Sequence, residues 1–221
     1  ASAVPYDSDE GRAICGGITA LMTGMAYATS AEMAAELGSF PEFEANREPM
    51  MRVMRNHARA AGALDGDFEG LHVDPVGLDA DSTSDTGLVK AARKSWSKAL
   101  ELGETHGFRN AQSTAIAPTG TIGLIMDCDT TGIEPDLSLV KLKRLVGGGT
   151  MSIVNRTIPR ALRRLGYDEA TATTIEAWVD EHQTVVGCPE IRAEHLAVFA
   201  TSMGDNPIHH MGHIRMMGAV Q

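Results

Sequence analysis

The residues of this 221-residue chain best suited to chemistry stand in two short runs. Ala117, Pro118, Thr119, Gly120, Thr121, Ile122 and Gly123 form a glycine-punctuated turn between a stretch with strand character and one with helical character. Such a turn aims free backbone N–H groups and the positive end of a helix at one spot, and Thr119 and Thr121 add hydroxyl donors, so it suits a phosphate. It has neither the lysine of a P-loop nor the spacing of GxGxxG. An ordinary Pro–Gly turn into a capped helix accounts for the same residues, and local chemistry leaves both readings open. Twelve residues beyond Gly120 stands Gly132–Ile133–Glu134–Pro135, preceded by Asp127, Asp129, Thr130 and Thr131. A carboxylate between an apolar residue and a proline is held rigidly, as a polar anchor at a pocket mouth would be, but Glu–Pro is also a common plain turn.

Other reactive groups are scattered. Cys15, Cys128 and Cys188 are odd in number and far apart, with no CxxC pair, which fits neither a disulfide scaffold nor a four-cysteine zinc site and points to a reducing compartment. Each reads as a small buried or surface thiol. His209 and His213 would lie at i and i+4 on a helix, a zinc-compatible spacing, yet no cysteine or acidic third ligand is near. Lys141, Lys143 and Arg144 could add positive charge to a phosphate site, or simply mark a solvated strand edge. The methionine-rich stripes, Met50, Met51 and Met54 and Met211, Met216 and Met217, read as core filling.

The elements that position these groups follow from periodicity. Asp7, Ser8 and Asp9 offer caps, and Ile14, Ile18, Leu21, Met22 and Met25 then share one helical face. Thr29 and Glu32 form a capping-box pair that predicts a second, short helix ending at Gly38. A third helix is expected over 47–61, with Pro49 in its first turn. Residues 64–85 are rich in Asp and Gly with little periodicity and read as a long surface connection. Helical spacing returns at Leu88, Ala92, Trp96, Ala99 and Leu100. A strand is predicted over 110–117 and another over 137–146, ended by Gly147, Gly148 and Gly149. Ile153, Ile158, Leu162 and Leu165 suggest a helix running to Gly166, and Asp168 caps another carrying Ile175, Trp178, Val179 and His182. The domain reading is a helical segment over 1–63, a connecting loop over 64–86, and an α/β part over 87–221.

Composition narrows the function classes. With 43% hydrophobic and 22% charged residues the chain can build a packed core, which excludes disorder. No apolar run is long enough for a membrane span, and the first residues lack the features of a signal peptide, so a soluble, cytoplasmic protein is expected. A net charge of -10 argues against a DNA-binding surface but leaves room for a small nucleotide in a locally positive pocket.

Taken together, the two runs lie in order inside RNAQSTAIAPTGTIGLIMDCDTTGIEPD, followed by LVKLKRLVGGG, and this stretch resembles the adenosylcobalamin-dependent (class II) ribonucleotide reductases. YDSDEGRAICGGITALMTGMAYATSAEMAAELGSF, NREPMMRVMRNHARAA and MGHIRMMGAVQ resemble the same family in the corresponding order. The resemblance implies part of a ten-stranded α/β barrel with a helical N-terminal segment. It also implies adenosylcobalamin as cofactor, a ribonucleotide substrate, with diphosphate favoured over triphosphate, and a thioredoxin-type reductant. A homodimer is a further expectation. In that family a Pro–Thr/Ser-rich loop at a helix start binds the substrate phosphates, and the matching positions here are Pro118, Thr119, Gly120, Thr121 and Ile122, in agreement with the anion-site argument. The Gly132–Pro135 run would shape the barrel nearby. The family's radical cysteine sits in Asn-x-Cys-x-Glu, and two further cysteines supply reducing electrons. This chain has no such motif and no carboxy-terminal cysteine pair, so it is expected to be a fragment or shortened homologue that needs the remaining part of a reductase chain for catalysis. A non-catalytic nucleotide- or phosphate-binding module is the alternative.

Overall fold

The computed structural model describes residues 2–126, 128–144 and 148–221. The opening helix, α1 (Asp9–Leu37), starts where the sequence places its caps: Ser8 Oγ accepts from the Gly11 amide at 3.0 Å. It then runs unbroken for 29 residues to Gly38, whose φ of 79° closes it. The second short helix predicted from Thr29 and Glu32 is therefore not separate. AYATSAEMAAEL holds no helix breaker, and Ser30 Oγ donates sideways to Asn110 Oδ1 at 3.0 Å. Helices α2 (Arg47–Ala60) and α3 (Thr86–His106) follow the predicted stripes, with Asp85 capping α3 through the Leu88 amide at 2.9 Å.

The described residues divide into two compact units. The first comprises residues 12–116 and 215–221. Its core joins Tyr27, Ala31, Phe43, Met54, Trp96 and Phe108, where small residues give way to rings. A Cβ on Gly24 would meet Ser95 Oγ at 2.3 Å and one on Gly103 would meet Phe108 Cζ at 2.3 Å, so both glycines are required by close approach. His57 stacks on Trp96 with ring centroids 5.4 Å apart, and burial holds its imidazole below the usual histidine range. The 64–85 connection has no regular secondary structure, yet it is tied to α2: Asn56 bonds both the amide and the carbonyl of Glu69, at 2.9 and 3.0 Å. Arg55 and then Arg59 hold the Glu69 carboxyl down at about 2.

The predicted strand over 110–117 is an extended segment that pairs with α1 in place of a strand. Asn110 N donates to Ser30 Oγ at 2.9 Å, and Thr114 Oγ1 lies 3.3 Å from Thr23 Oγ1. Its alternating small residues fit against a helix as well as against a sheet.

The second unit comprises residues 1–11 and 117–214. It holds α4 (Gly120–Ile125), an antiparallel hairpin of β1 (Val140–Arg144) and β2 (Thr150–Val154), α5 (Ile158–Arg164) and α6 (Glu169–His182). A 3-10 helix, Ala193–Phe199, follows, and α7 (His210–Val220) begins in this unit. The expected end of the strand at Val146 and Gly147 lies outside the described residues, as does Asp127. The helix expected from Ile153 begins only at Ile158, because residues 150–154 pair with β1 in register Val140↔Val154 to Arg144↔Thr150. Asp168 caps α6 through the Thr171 amide at 2.8 Å, as predicted. Leu139, Val140, Leu162, Ile175, Val179 and Phe199 form the core. Among the described residues this hairpin is the whole sheet content apart from a bridge between Thr201 and Pro207, so they do not by themselves form the expected partial ten-stranded barrel. A parallel barrel strand gets its hydrogen bonds from neighbours on both sides, and among the described residues β1 and β2 have only each other, antiparallel. No helix among them is long and apolar enough to cross a membrane.

Candidate phosphate-binding site

Pro118 and Thr119 lead directly into α4, which starts at Gly120. Thr119 caps the helix from an unusual backbone position, φ 44°, which β-branched residues rarely adopt. Its carbonyl accepts from the Gly123 amide at 2.7 Å and its hydroxyl oxygen from the Gly132 amide at 2.6 Å. Among the described residues nothing accepts from the amides of Gly120, Thr121 or Ile122, the orphan donors of a helix start. These three N–H groups are thus left for an acceptor from outside. Nothing lies within 4 Å of where a Cβ on Gly120 would be, so the space before this turn is open. Pro118, Gly120, Thr121 and Ile122 are exposed, with Thr119 half-buried.

Both runs singled out in the sequence meet here. Gly132, at φ 56°, lies so near the turn that a Cβ would stand 2.9 Å from the Ala117 carbonyl oxygen, and one on Gly123 would stand 3.4 Å from Thr131 Cγ2. The Cys128 amide donates to the Gly123 carbonyl at 2.9 Å, and Tyr6 Oη donates to the Ile133 carbonyl at 3.0 Å. Glu134 is exposed. Hence the Gly132–Pro135 run supports the turn, and its amide, rather than its carboxylate, makes the contact.

A family model described as "Ribonucleotide reductase, barrel domain" matches residues 1–221. The chain belongs to the ribonucleotide reductase barrel-domain family. It is similar to the "Vitamin B12-dependent ribonucleotide reductase" of Agrobacterium fabrum, 59% identical over 190 residues, covering 86% of this chain and 15% of that protein. The protein of the same name from Streptomyces avermitilis is 50% identical over 216 residues, covering 98% of this chain and 21% of its own length. That of Rhodopirellula baltica is 45% identical over 222 residues, 99% of this chain and 20% of its own. This chain therefore spans about a fifth or less of each of these relatives.

The remaining sequence candidates separate. Cys15 is half-buried, Cys188 buried and Cys128 exposed, and burial raises the thiols of Cys15 and Cys188 above the usual cysteine range, which disfavours thiolate. His209 lies beside His210, with centroids 4.0 Å apart and the rings tilted at 39°, while His213 lies 6.0 Å from Tyr6. The described residues hold no group of three or more His, Cys, Asp or Glu able to take a metal ion. Met51, Met54 and Met216 are buried as core filling, Met50 and Met211 are half-buried, and Met217 is exposed, against expectation; Met22, Met25 and Met33 line a shallow cavity of about 440 Å³ in the first unit. Lys141 is not free to serve a phosphate: its ammonium lies 2.6 Å from Asp136 Oδ1. Asp136 itself was not flagged by motif or periodicity. Its signal is the placement of an acid directly after Glu134–Pro135, in a segment that must bury part of its backbone.

Proposed function

We propose that this chain is the substrate-phosphate-binding part of a ribonucleotide reductase that reduces ribonucleotides to deoxyribonucleotides, with Pro118, Thr119, Gly120, Thr121 and Ile122 as the phosphate cradle. The observation that carries this reading is the trio of unpartnered amides at Gly120, Thr121 and Ile122, on a turn whose geometry is set by Thr119 and Gly132. Each charge-assisted hydrogen bond from such an amide to a phosphate oxygen is worth ~1.5–3 kcal/mol, and the helix end adds a favourable field. The Thr121 hydroxyl and the remaining proton of Thr119 extend the donor set. In this reading the substrate is a nucleoside diphosphate, and the segment joins further strands of a larger chain to complete the barrel. That larger chain supplies the radical cysteine and works in the cytoplasm, as a homodimer, with a thioredoxin-type reductant. Adenosylcobalamin would supply the radical there. No residue of this chain is assigned to hold it, and the work of these residues is to bind and orient the substrate's charged tail.

The test is a chimaera in which this chain replaces the matching stretch of the Agrobacterium fabrum reductase. Gly120→Val has room to fold, since nothing lies within 4 Å of the added Cβ, and it puts a branched side chain on the residue whose amide opens the proposed cradle. The expected result is a substrate KM raised about tenfold or more with kcat little changed, the pattern of lost uniform binding. Unchanged kinetics count against the assignment. The second reading, a binding module without turnover, is favoured by the absence of Asn-x-Cys-x-Glu from these 221 residues. Ribonucleotide titration of the chain set beside a turnover assay with added adenosylcobalamin separates the two.

A further inference from the structure

We propose that Lys141 and Asp136 are positioning residues for the phosphate cradle, acting through the segment 129–136; the inference rests on the phosphate reading of residues 118–122. Asp136 closes the Gly132–Pro135 run and is 9% exposed. Its carboxylate takes a hydrogen bond from Asn155 Nδ2 on Oδ2 and faces the Lys141 ammonium, 2.6 Å away, on Oδ1. That second contact lies off the line of a directed hydrogen bond, so it is a close ion pair whose strength comes from charge and burial. Asn155 is held in turn: its Oδ1 accepts from the Thr157 amide at 2.8 Å and the Thr157 hydroxyl at 2.7 Å, which leaves Nδ2 facing Asp136.

The same ammonium also donates to the backbone carbonyl of Asp129. One side chain, rising from β1, thus grips both ends of the eight-residue segment 129–136. Between those ends lies Gly132, whose amide donates to Thr119 Oγ1 at 2.6 Å. The chain of contacts runs from Lys141 to the segment ends, to Gly132, to Thr119, to the helix start that presents the free amides. The backbone on the far side of Asp136 is tied down independently, by Ser202 N to the Asp136 carbonyl at 2.8 Å and Met203 N to the Leu137 carbonyl at 3.1 Å. The hairpin therefore stays in place when Lys141 is altered, while the segment over the turn loses the grip on its Asp129 end and keeps the Tyr6 contact at Ile133 and the Ser202 contacts at Pro135 and Asp136. Lys141 is itself 40% exposed, so shortening or neutralising it leaves no large cavity.

The experiment uses the same full-length chimaera with Lys141→Met, Asp136→Asn, the double variant and Lys141→Arg, measured beside Gly120→Val. KM for the nucleoside diphosphate, kcat and the thermal midpoint are read for each. The expected result is a five- to tenfold higher KM for Lys141→Met and Asp136→Asn with kcat within twofold. The double variant should be no worse than the worse single one, because both act through one link, and Lys141→Arg should return KM to within threefold of the parent. If Gly120→Val raises KM and the Lys141 and Asp136 variants do not, the positioning role is overturned and the cradle stands. If none of them moves KM, the cradle reading falls first and this inference with it. A lowered thermal midpoint with unchanged KM, or a double variant whose KM effects add, also overturns it, since a purely structural ion pair behaves that way.

Discussion

Gly132→Ala tests the support of the cradle at its tightest point. At φ 56° an alanine enters the left-handed region at a cost of about 1–2 kcal/mol. Its Cβ would stand 2.5 Å from Glu134 Oε2 and 2.9 Å from the Ala117 carbonyl oxygen. Glu134 is exposed and can swing aside, but Ala117 is backbone next to Pro118 and yields only by moving the turn. That movement stretches the 2.6 Å bond from Gly132 N to Thr119 Oγ1, worth ~1 kcal/mol. Together about 2–3 kcal/mol is set against the arrangement that presents the amides, a factor of roughly 30 to 150 in its population. Because Gly132 lies in an exposed segment outside the core, the loss falls on local positioning. In the chimaera, KM for nucleoside diphosphate is expected to rise at least tenfold, with the thermal midpoint lowered by only a few degrees. A KM within threefold of the parent would refute the coupling between the two runs.

Two further perturbations report on the scaffold. Leu162→Ala empties a fully buried site in the core of the second unit and should cost ~2–5 kcal/mol by urea denaturation, yet leave KM of the surviving folded chimaera unchanged; a KM shift would show that destabilisation alone mimics a cradle defect. Glu69, whose carboxyl is held at about 2 by Arg55 and Arg59, contributes stability that is complete above its ordinary value near 4.5 and is lost as pH falls from there towards 2. The difference in urea midpoint between parent and Glu69→Gln should therefore be flat above pH 5 and shrink below 4.5; a constant difference down to pH 2 would exclude the ion pairs as its source.

What could be read from the chain alone follows a physical division. Stripes such as Ala92, Trp96 and Ala99 report burial directly, so α3 is legible in the sequence, and so is the Asp168 cap of α6, whose signal is local. The capping-box pair at Thr29 and Glu32 misled because a cap signal inside a helix-favouring run has no power to stop it. The 110–117 stretch misled because alternation records two faces but not what covers them; here α1 does. The spacing of Ile153 suggests a helix although it belongs to β2, since its partner across the hairpin, Lys141, lies more than ten residues away. In the candidate site, the turn and the Gly132 run were both visible as motifs. Their contact was not, because a hydrogen bond between residues 119 and 132 leaves no trace in spacing, and the Lys141–Asp136 pair was hidden for the same reason.

That contact also explains how so short a helix can present a fixed site. Six residues are too few for a helix to be stable alone, and Thr119 at φ 44° adds strain at its first turn. Yet the turn is held from outside at two points, Gly132 N on the Thr119 hydroxyl and Cys128 N on the Gly123 carbonyl. Neither of these uses the amides of Gly120, Thr121 or Ile122. The constraints that shape the turn are thus separate from the donors it offers, so an anion arriving there meets groups already ordered and need not supply the energy of ordering them. A free-standing Pro–Gly turn would lack these outside supports, and this separation of support from donors is what the proposed cradle reading rests on.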